Sequence, residues 1–170
     1  MGNSTQKMVR LAMLLAVSVV LNYLEYTFIN LAWVAPGVKL GLANAVGLVI
    51  LYLYDDFEFL EIGFLRVLLV ALLRTGFGSA FAISLGGWAL SSAVVLLFKH
   101  WNQVSIFGLS VASAFFHGVG QLLVVAILYE SIFMINYLPF LTLASSVSGF
   151  LLAMATSQLL KRLKWMISAS

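Results

Sequence analysis

Charged residues along this chain gather in short clusters, and between the clusters lie long apolar runs. The runs cover residues 8–23, 38–54, 59–75, 79–98, 106–129 and 139–160. A helix that crosses a bilayer needs about 20 mostly apolar residues, and all six runs approach that length. The breaks carry turn chemistry. An extended stretch, residues 25–37, ends in Pro36-Gly37, and Asp55-Asp56-Phe57-Glu58 forms an acidic turn. Gly76-Phe77-Gly78 makes a tight turn, residues 99–103 form a polar loop, and residues 161–165 form a basic tail. The pattern predicts an all-α polytopic membrane protein: one domain, residues 1–170, of six transmembrane helices.

Composition sharpens that expectation. Of the 170 residues, 63% are hydrophobic and 9% are charged, against roughly 25% charged in soluble domains. So little charge cannot cover a water-facing surface, and the surplus apolar area calls for a lipid bilayer as partner. The net charge of +3 is concentrated in loops, so it speaks to topology and gives no reason to expect nucleic acid. With six spans both termini share a side. That side holds Lys7, Arg10, Lys99, Lys161, Arg162 and Lys164, while Lys39 and Arg74 lie toward the other. Positive charge favours the cytoplasm, which predicts both termini inside a multi-pass protein of a prokaryotic cell membrane. No cleavable signal peptide is expected after Lys7 and Arg10, and Gln6 spoils a myristoylation pattern at the N-terminus.

Polar groups at membrane depth are costly and often mark function. His117 falls near the middle of helix 5, with Gln121 one turn further out and Ser110 and Ser113 continuing the same face inward. Asn44 lies roughly 7 Å deeper than Lys39 on helix 2, and Arg74 ends helix 3. Lys39, Asn44, Arg74, His117 and Gln121 therefore fall in one outer half, with Glu25 and Glu130 at its rim. Two cations beside amides suit a small anionic ligand, and Trp33, Trp88 and Phe115 could flank an apolar body. Each residue also has a structural reading: Lys39 and Arg74 snorkelling to headgroups, Asn44 or His117 with Gln121 bridging helices. Arg66, deeper on helix 3, is expected to pair with the acidic group Asp55, Asp56, Glu58 and Glu61. Small residues at Ala12 and Ala16, Gly41 and Ala45, Gly86-Gly87, and Gly118 and Gly120 suit close helix packing.

Enzyme and cofactor signatures are few. There is no cysteine, and no nucleophile elbow, zinc-protease helix or phosphate loop. Asp55-Asp56-Phe57-Glu58 resembles half of an aspartate-rich diphosphate site, but its third carboxylate follows after one spacer and no second copy exists. A solvated acidic turn is the simpler reading. No catalytic residue, metal or cofactor is expected.

Residues 36–44 (Pro36-Gly37-Val38-Lys39-Leu40-Gly41-Leu42-Ala43-Asn44), Leu65-Arg66-Val67-Leu68-Leu69 and His117-Gly118-Val119-Gly120-Gln121-Leu122-Leu123 resemble the family labelled heptaprenyl diphosphate synthase component I, also called the Gx transporter family. That family is similar in size and hydropathy to the substrate-binding S components of energy-coupling factor (ECF) transporters. The resemblance implies a six-helix S-component-like bundle and a small-molecule substrate. It also implies assembly with an ECF transmembrane subunit driven by two ATPase subunits. It makes Ala12 and Ala16 the docking face and residues 25–37 a lid over a ligand near the outer side, where the count of depths has already placed Lys39, Asn44, Arg74, Trp88, His117 and Gln121 as the ligand-binding set. The synthase label hints at an isoprenoid or quinone precursor as cargo. It also leaves open a second class, a non-catalytic accessory membrane subunit of a prenyl diphosphate synthase, a quinone-biosynthesis enzyme or an electron-transfer assembly.

Overall fold

A computed structural model describes residues 2–28, 41–101, 104–130, 136 and 138–168. Six α-helices account for nearly all of them: α1 (Gly2–Phe28), α2 (Leu42–Leu53), α3 (Asp56–Val70), α4 (Ser79–His100), α5 (Ile106–Leu128) and α6 (Leu138–Ser168). A π-helical segment, Ala71–Thr75, continues α3 without a break. There is no strand among the described residues.

Local chemistry fixes several helix ends. Ser105 caps α5, its hydroxyl accepting from the Gly108 amide at 3.3 Å. Asp56 and Glu58 sit in the first turn of α3, and Lys99 and His100 in the last turn of α4. Both placements oppose the helix dipole favourably. Within α6, Thr142 and Ser146 return their hydroxyls to the carbonyls of Leu138 and Thr142 at 2.7 Å, so they present no unbonded polarity to a lipid-facing surface.

The helices form a ring. α1 packs on α2, α2 on α6, α6 on α5, α5 on α4, α4 on α3, and α3 back on α1, with α2 also touching α3 and α5 across the middle. Successive helices run in opposite directions, so one end of the bundle bears both chain termini; we call it the terminal end, and the opposite one distal. The closest approaches use glycine. A Cβ at Gly120 in α5 would stand 2.4 Å from the Gly86 carbonyl oxygen of α4, and one at Gly149 in α6 would stand 2.7 Å from the Val111 Cα of α5. Backbones this close leave no room for a methyl group.

The apolar core fills the terminal half: Leu11, Val46, Leu48, Ile50, Leu51, Phe59, Ile62, Val95 and Leu109 are all buried in one cluster. The outside is as apolar as the inside. Leu143, Val147, Phe150, Leu151 and Met154 form a stripe on α6 that is exposed throughout, while Ser110, Ser113, Gln121, Ser145, Ser148 and Thr156 are buried. Water would reverse that arrangement; hydrocarbon favours it. Four helices, α1, α4, α5 and α6, are long and apolar enough to cross a membrane, and the chain is a multi-pass membrane protein.

Four elements differ from the sequence expectation. Helix 3 begins at Asp56, so residues 56–58 of the expected acidic turn form its first turn. Helix 1 does not end at Tyr23: α1 runs on to Phe28, because Glu25 is satisfied inside the bundle and need not break the helix. Helix 2 is shorter than residues 38–54, beginning at Leu42 after Gly41 takes a left-handed conformation (φ 79°) that only glycine adopts freely. Its 12 residues span about 18 Å, less than the roughly 30 Å hydrocarbon core. Helix 6 absorbs the start of the basic tail, carrying Lys161 and Arg162 on its last turns.

Candidate functional site

The distal half of the ring is hollow. A cavity of about 780 Å³ lies there, walled by all six helices, with the core cluster of the terminal half as its floor. Its volume falls inside the roughly 300–1,000 Å³ range of small-molecule sites. The walls are polar where the helices carry stripes of side chains at helical spacing. α1 supplies Asn22, Glu25 and Tyr26, and α2 supplies Asn44. α3 and its π continuation supply Arg66, Arg74 and Thr75; α5 supplies His117 and Gln121; α6 supplies Ser145 and Ser148. Between them lie Val67, Val70, Phe81, Ile83, Leu122, Val125 and Leu141, so the space offers an apolar body with a few hydrogen-bonding groups.

The innermost group is built from three helices. The Glu25 carboxylate accepts from the backbone amides of Gly41 at 2.6 Å and Leu42 at 3.1 Å. α1 thereby caps the open N-terminus of α2 from outside, satisfying donors that helix geometry leaves orphaned. The same carboxylate exerts an attractive charge on Arg66, whose Nη2 donates to the Asn44 Oδ1 at 3.2 Å. Glu25 is 4% and Arg66 8% exposed. Burying a charge calls for opposite charge and hydrogen bonds; here Arg66 has the field of Glu25 and the bond to Asn44.

Arg74 differs from Arg66. It sits in the π-helical segment, where the Gly76 amide bonds back to the Ala71 carbonyl at 2.8 Å and widens the turn; such bulges recur at functional sites. Its guanidinium carbon lies 3.2 Å from the centre of the Tyr26 ring, a cation–π contact. Neither arginine has a carboxylate within ion-pair distance among the described residues. The lining holds two guanidiniums, Arg66 and Arg74, and one carboxylate, Glu25, whose charge acts on Arg66, which leaves Arg74 as the surplus cation of the cavity.

Four of the six candidate ligand residues, Asn44, Arg74, His117 and Gln121, therefore face one space. Lys39 lies outside the described residues, as do Trp33 and residues 29–37 of the expected lid; Glu25 to Phe28, its first four residues, are helical. Trp88 stands apart from the cavity. It packs on Phe64, ring centres 5.5 Å apart, over the space left by Gly63 in the α3–α4 seam. Phe115 stacks edge-on against Phe116 and is not a lining residue; Phe81 is. His117 and Gln121 lie against Gly87, where any Cβ would meet the Gln121 side chain at 2.7 Å.

The expected ion pair between Arg66 and the acidic group does not form. Two of those acids are paired at the terminal end: Glu58 with Lys7, and Asp56 with Lys99 and, at 3.5 Å, with His100. Lys99 also donates to the Leu51 carbonyl at 3.3 Å, tying the end of α2 to α4. Arg66 instead lines the distal cavity, where it donates to Asn44. Glu25 and Asn22 continue the face of Ser18, which is buried in α1. That spacing of four and three residues was the available signal for an inward polar stripe on helix 1.

The fold is thus a six-helix membrane bundle with a polar, cationic cavity in one half, and its sequence places it more narrowly. A family model described as heptaprenyl diphosphate synthase component I matches residues 14–159, and the chain belongs to that family. No curated protein and no solved structure matches it.

Proposed function

We propose that this protein is the membrane-embedded substrate-binding component of an ECF-type uptake transporter, and that its cargo is a small anionic molecule. The observation that carries the reading is the distal cavity, with one uncompensated guanidinium over a closed apolar floor. In this reading the chain crosses the membrane six times with both termini in the cytoplasm, so the cavity opens outward. Asn44, Arg74, His117 and Gln121 hold the ligand, Lys39 stands at the mouth, and Arg66 with Glu25 fixes the cavity's inner wall. Ala12 and Ala16, exposed on α1 beside Met13 and Val17, dock against an ECF transmembrane subunit that two ATPases drive. The protein itself performs no catalysis.

The test is mass spectrometry of the small molecule that co-purifies with the protein, followed by calorimetry of Arg74→Ala and Gln121→Ala with that molecule. Losing a hydrogen bond to a charged group weakens binding by about 1.5–3 kcal/mol, or roughly ten- to a hundredfold. Ala12→Trp should abolish capture of the transmembrane subunit and leave ligand affinity intact. Unchanged affinity in both cavity variants, with the fold preserved, sinks the proposal.

The family's description favours a second reading, an accessory subunit of a prenyl diphosphate synthase. That reading expects stable capture of a synthase subunit from a lysate, and no effect of cavity substitutions on the complex.

A further inference from the structure

Beside the main cavity, between α1 and α3, runs a second hollow of about 280 Å³ lined by Val19, Val20, Asn22, Tyr23, Val70, Leu73 and Arg74. Three of those residues, Asn22, Val70 and Arg74, also line the main cavity, so the two spaces meet at one wall. The groove faces outward: Val20 is 54% and Leu73 70% exposed, on a surface that meets hydrocarbon. Apart from Asn22, Arg74 and the Tyr23 hydroxyl, its walls are apolar. Both Leu73 and Arg74 belong to the π-helical turn Ala71–Thr75, where Leu73 is exposed while Arg74 also lines the main cavity.

We infer that the ligand is a single-chain amphiphile, whose anionic head lies against Arg74 and Asn22 in the cavity and whose apolar tail leaves between α1 and α3 along Val19, Val20, Tyr23, Val70 and Leu73. The inference rests on the distal cavity being a ligand site and adds the class of ligand. Two observations carry it together. Arg74 is the surplus cation, so it calls for an anion, and it stands where the polar space gives way to the apolar one. A wholly water-soluble anion would leave the groove without an occupant other than bulk lipid. A phospholipid would have to fit two chains into a hollow about a third the size of the cavity.

The experiment uses the full chain in phosphatidylcholine nanodiscs with two photoreactive probes, dodecyl phosphate and butyl phosphate, each bearing a diazirine at the chain end. Cross-linked peptides are mapped by mass spectrometry. Dodecyl phosphate should label residues 19–23 and 70–73 well above the exposed α6 stripe at Leu143 and Val147, and butyl phosphate should label the cavity wall near Val125 and Leu141. Arg74→Ala should lower both by at least about tenfold, as expected for loss of a charged hydrogen bond. Leu73→Trp, at a lipid-exposed position that tolerates bulk, should block groove labelling alone and leave the butyl probe unaffected. Even labelling of groove and α6 stripe by dodecyl phosphate, or groove labelling that survives Arg74→Ala, overturns the inference. Cavity labelling with a bare groove overturns it while leaving the cavity as a ligand site, and the absence of both removes the two readings together. Abolition of groove labelling by phosphatidylglycerol in the nanodisc makes the occupant a bilayer phospholipid and also overturns it.

Discussion

Replacing Glu25 removes a carboxylate that accepts from two backbone amides and whose charge acts on the buried Arg66. In Glu25→Ala the amides of Gly41 and Leu42 lose their acceptor, and Arg66 is left buried with only Asn44. An uncompensated buried charge costs about 3–5 kcal/mol. The two amides left without an acceptor are a separate cost, so this figure is a lower bound. Glu25→Gln keeps the shape and one acceptor oxygen but no charge, and should destabilise by about 1.5–3 kcal/mol. The decisive variant is the double substitution Glu25→Gln with Arg66→Met, which removes both charges and fills the space with a flexible apolar chain. If the pair is coupled, the double variant is more stable than the sum of the singles by about 1–3 kcal/mol. Reversible unfolding in mixed micelles with increasing dodecyl sulfate, followed by circular dichroism, measures wild type, Glu25→Ala, both singles of the cycle (Glu25→Gln and Arg66→Met) and the double variant. Wild-type stability in Glu25→Gln, or strict additivity in the double variant, would refute the role given to this cluster.

Three further outcomes follow from the structure. Because the chain has no cysteine, Glu130→Cys should react with an impermeant maleimide added outside cells and Trp101→Cys should not; the reverse result inverts the topology. Gly120→Ala places a methyl group against the Gly86 carbonyl and should destabilise by about 1–3 kcal/mol through overpacking, while Gly78→Ala, whose Cβ meets nothing within 4 Å, should unfold like wild type. At the terminal end, the hydrogen bond from Lys7 holds the Glu58 carboxyl below its usual range, aided by backbone amides. The folded protein then binds fewer protons there than the unfolded chain, so this stabilisation is complete above the ordinary carboxylate value of about 4.3 and fades as pH falls below it. Lys7→Met should flatten that acid limb, and an unchanged limb would disprove the pairing.

Much of the bundle was legible because apolar run length and turn residues are local signals. The boundaries of α4 and α5 lie within two residues of the runs that announced them. Asn44, Arg74, His117 and Gln121 converge because depth along a helix can be counted at about 1.5 Å per residue and opposite running directions can be assigned. What counting could not supply was the partner across the ring. Arg66 and the acids of α3 share a helix and a short span of sequence, yet Glu58 and Asp56 meet Lys7 and Lys99 from other helices, and Arg66 meets Asn44 in the field of Glu25. Those choices depend on which helices are neighbours, and neighbour order leaves no trace in hydropathy. Glu25 was misread for a related reason. A carboxylate in an apolar stretch looks like a chain break until the amides of another helix are there to receive it. Trp88 was assigned by size and depth, but rotation about α4 turned it to the α3 seam.

The division between hollow distal half and solid terminal half also has an electrical meaning. Where water and ions reach the cavity, its interior lies close to the potential of the compartment it opens to. The membrane voltage then falls mainly across the packed layer around Leu48, Ile50, Leu51 and Val95. A full crossing is worth about 2.3 kcal/mol per charge at 100 mV, but an anion that travels only as far as Arg74 moves through little of that drop. Under the proposed function, capture of an anion would thus be nearly indifferent to voltage, and the electrical work of moving it would fall on whatever later step opened the terminal half.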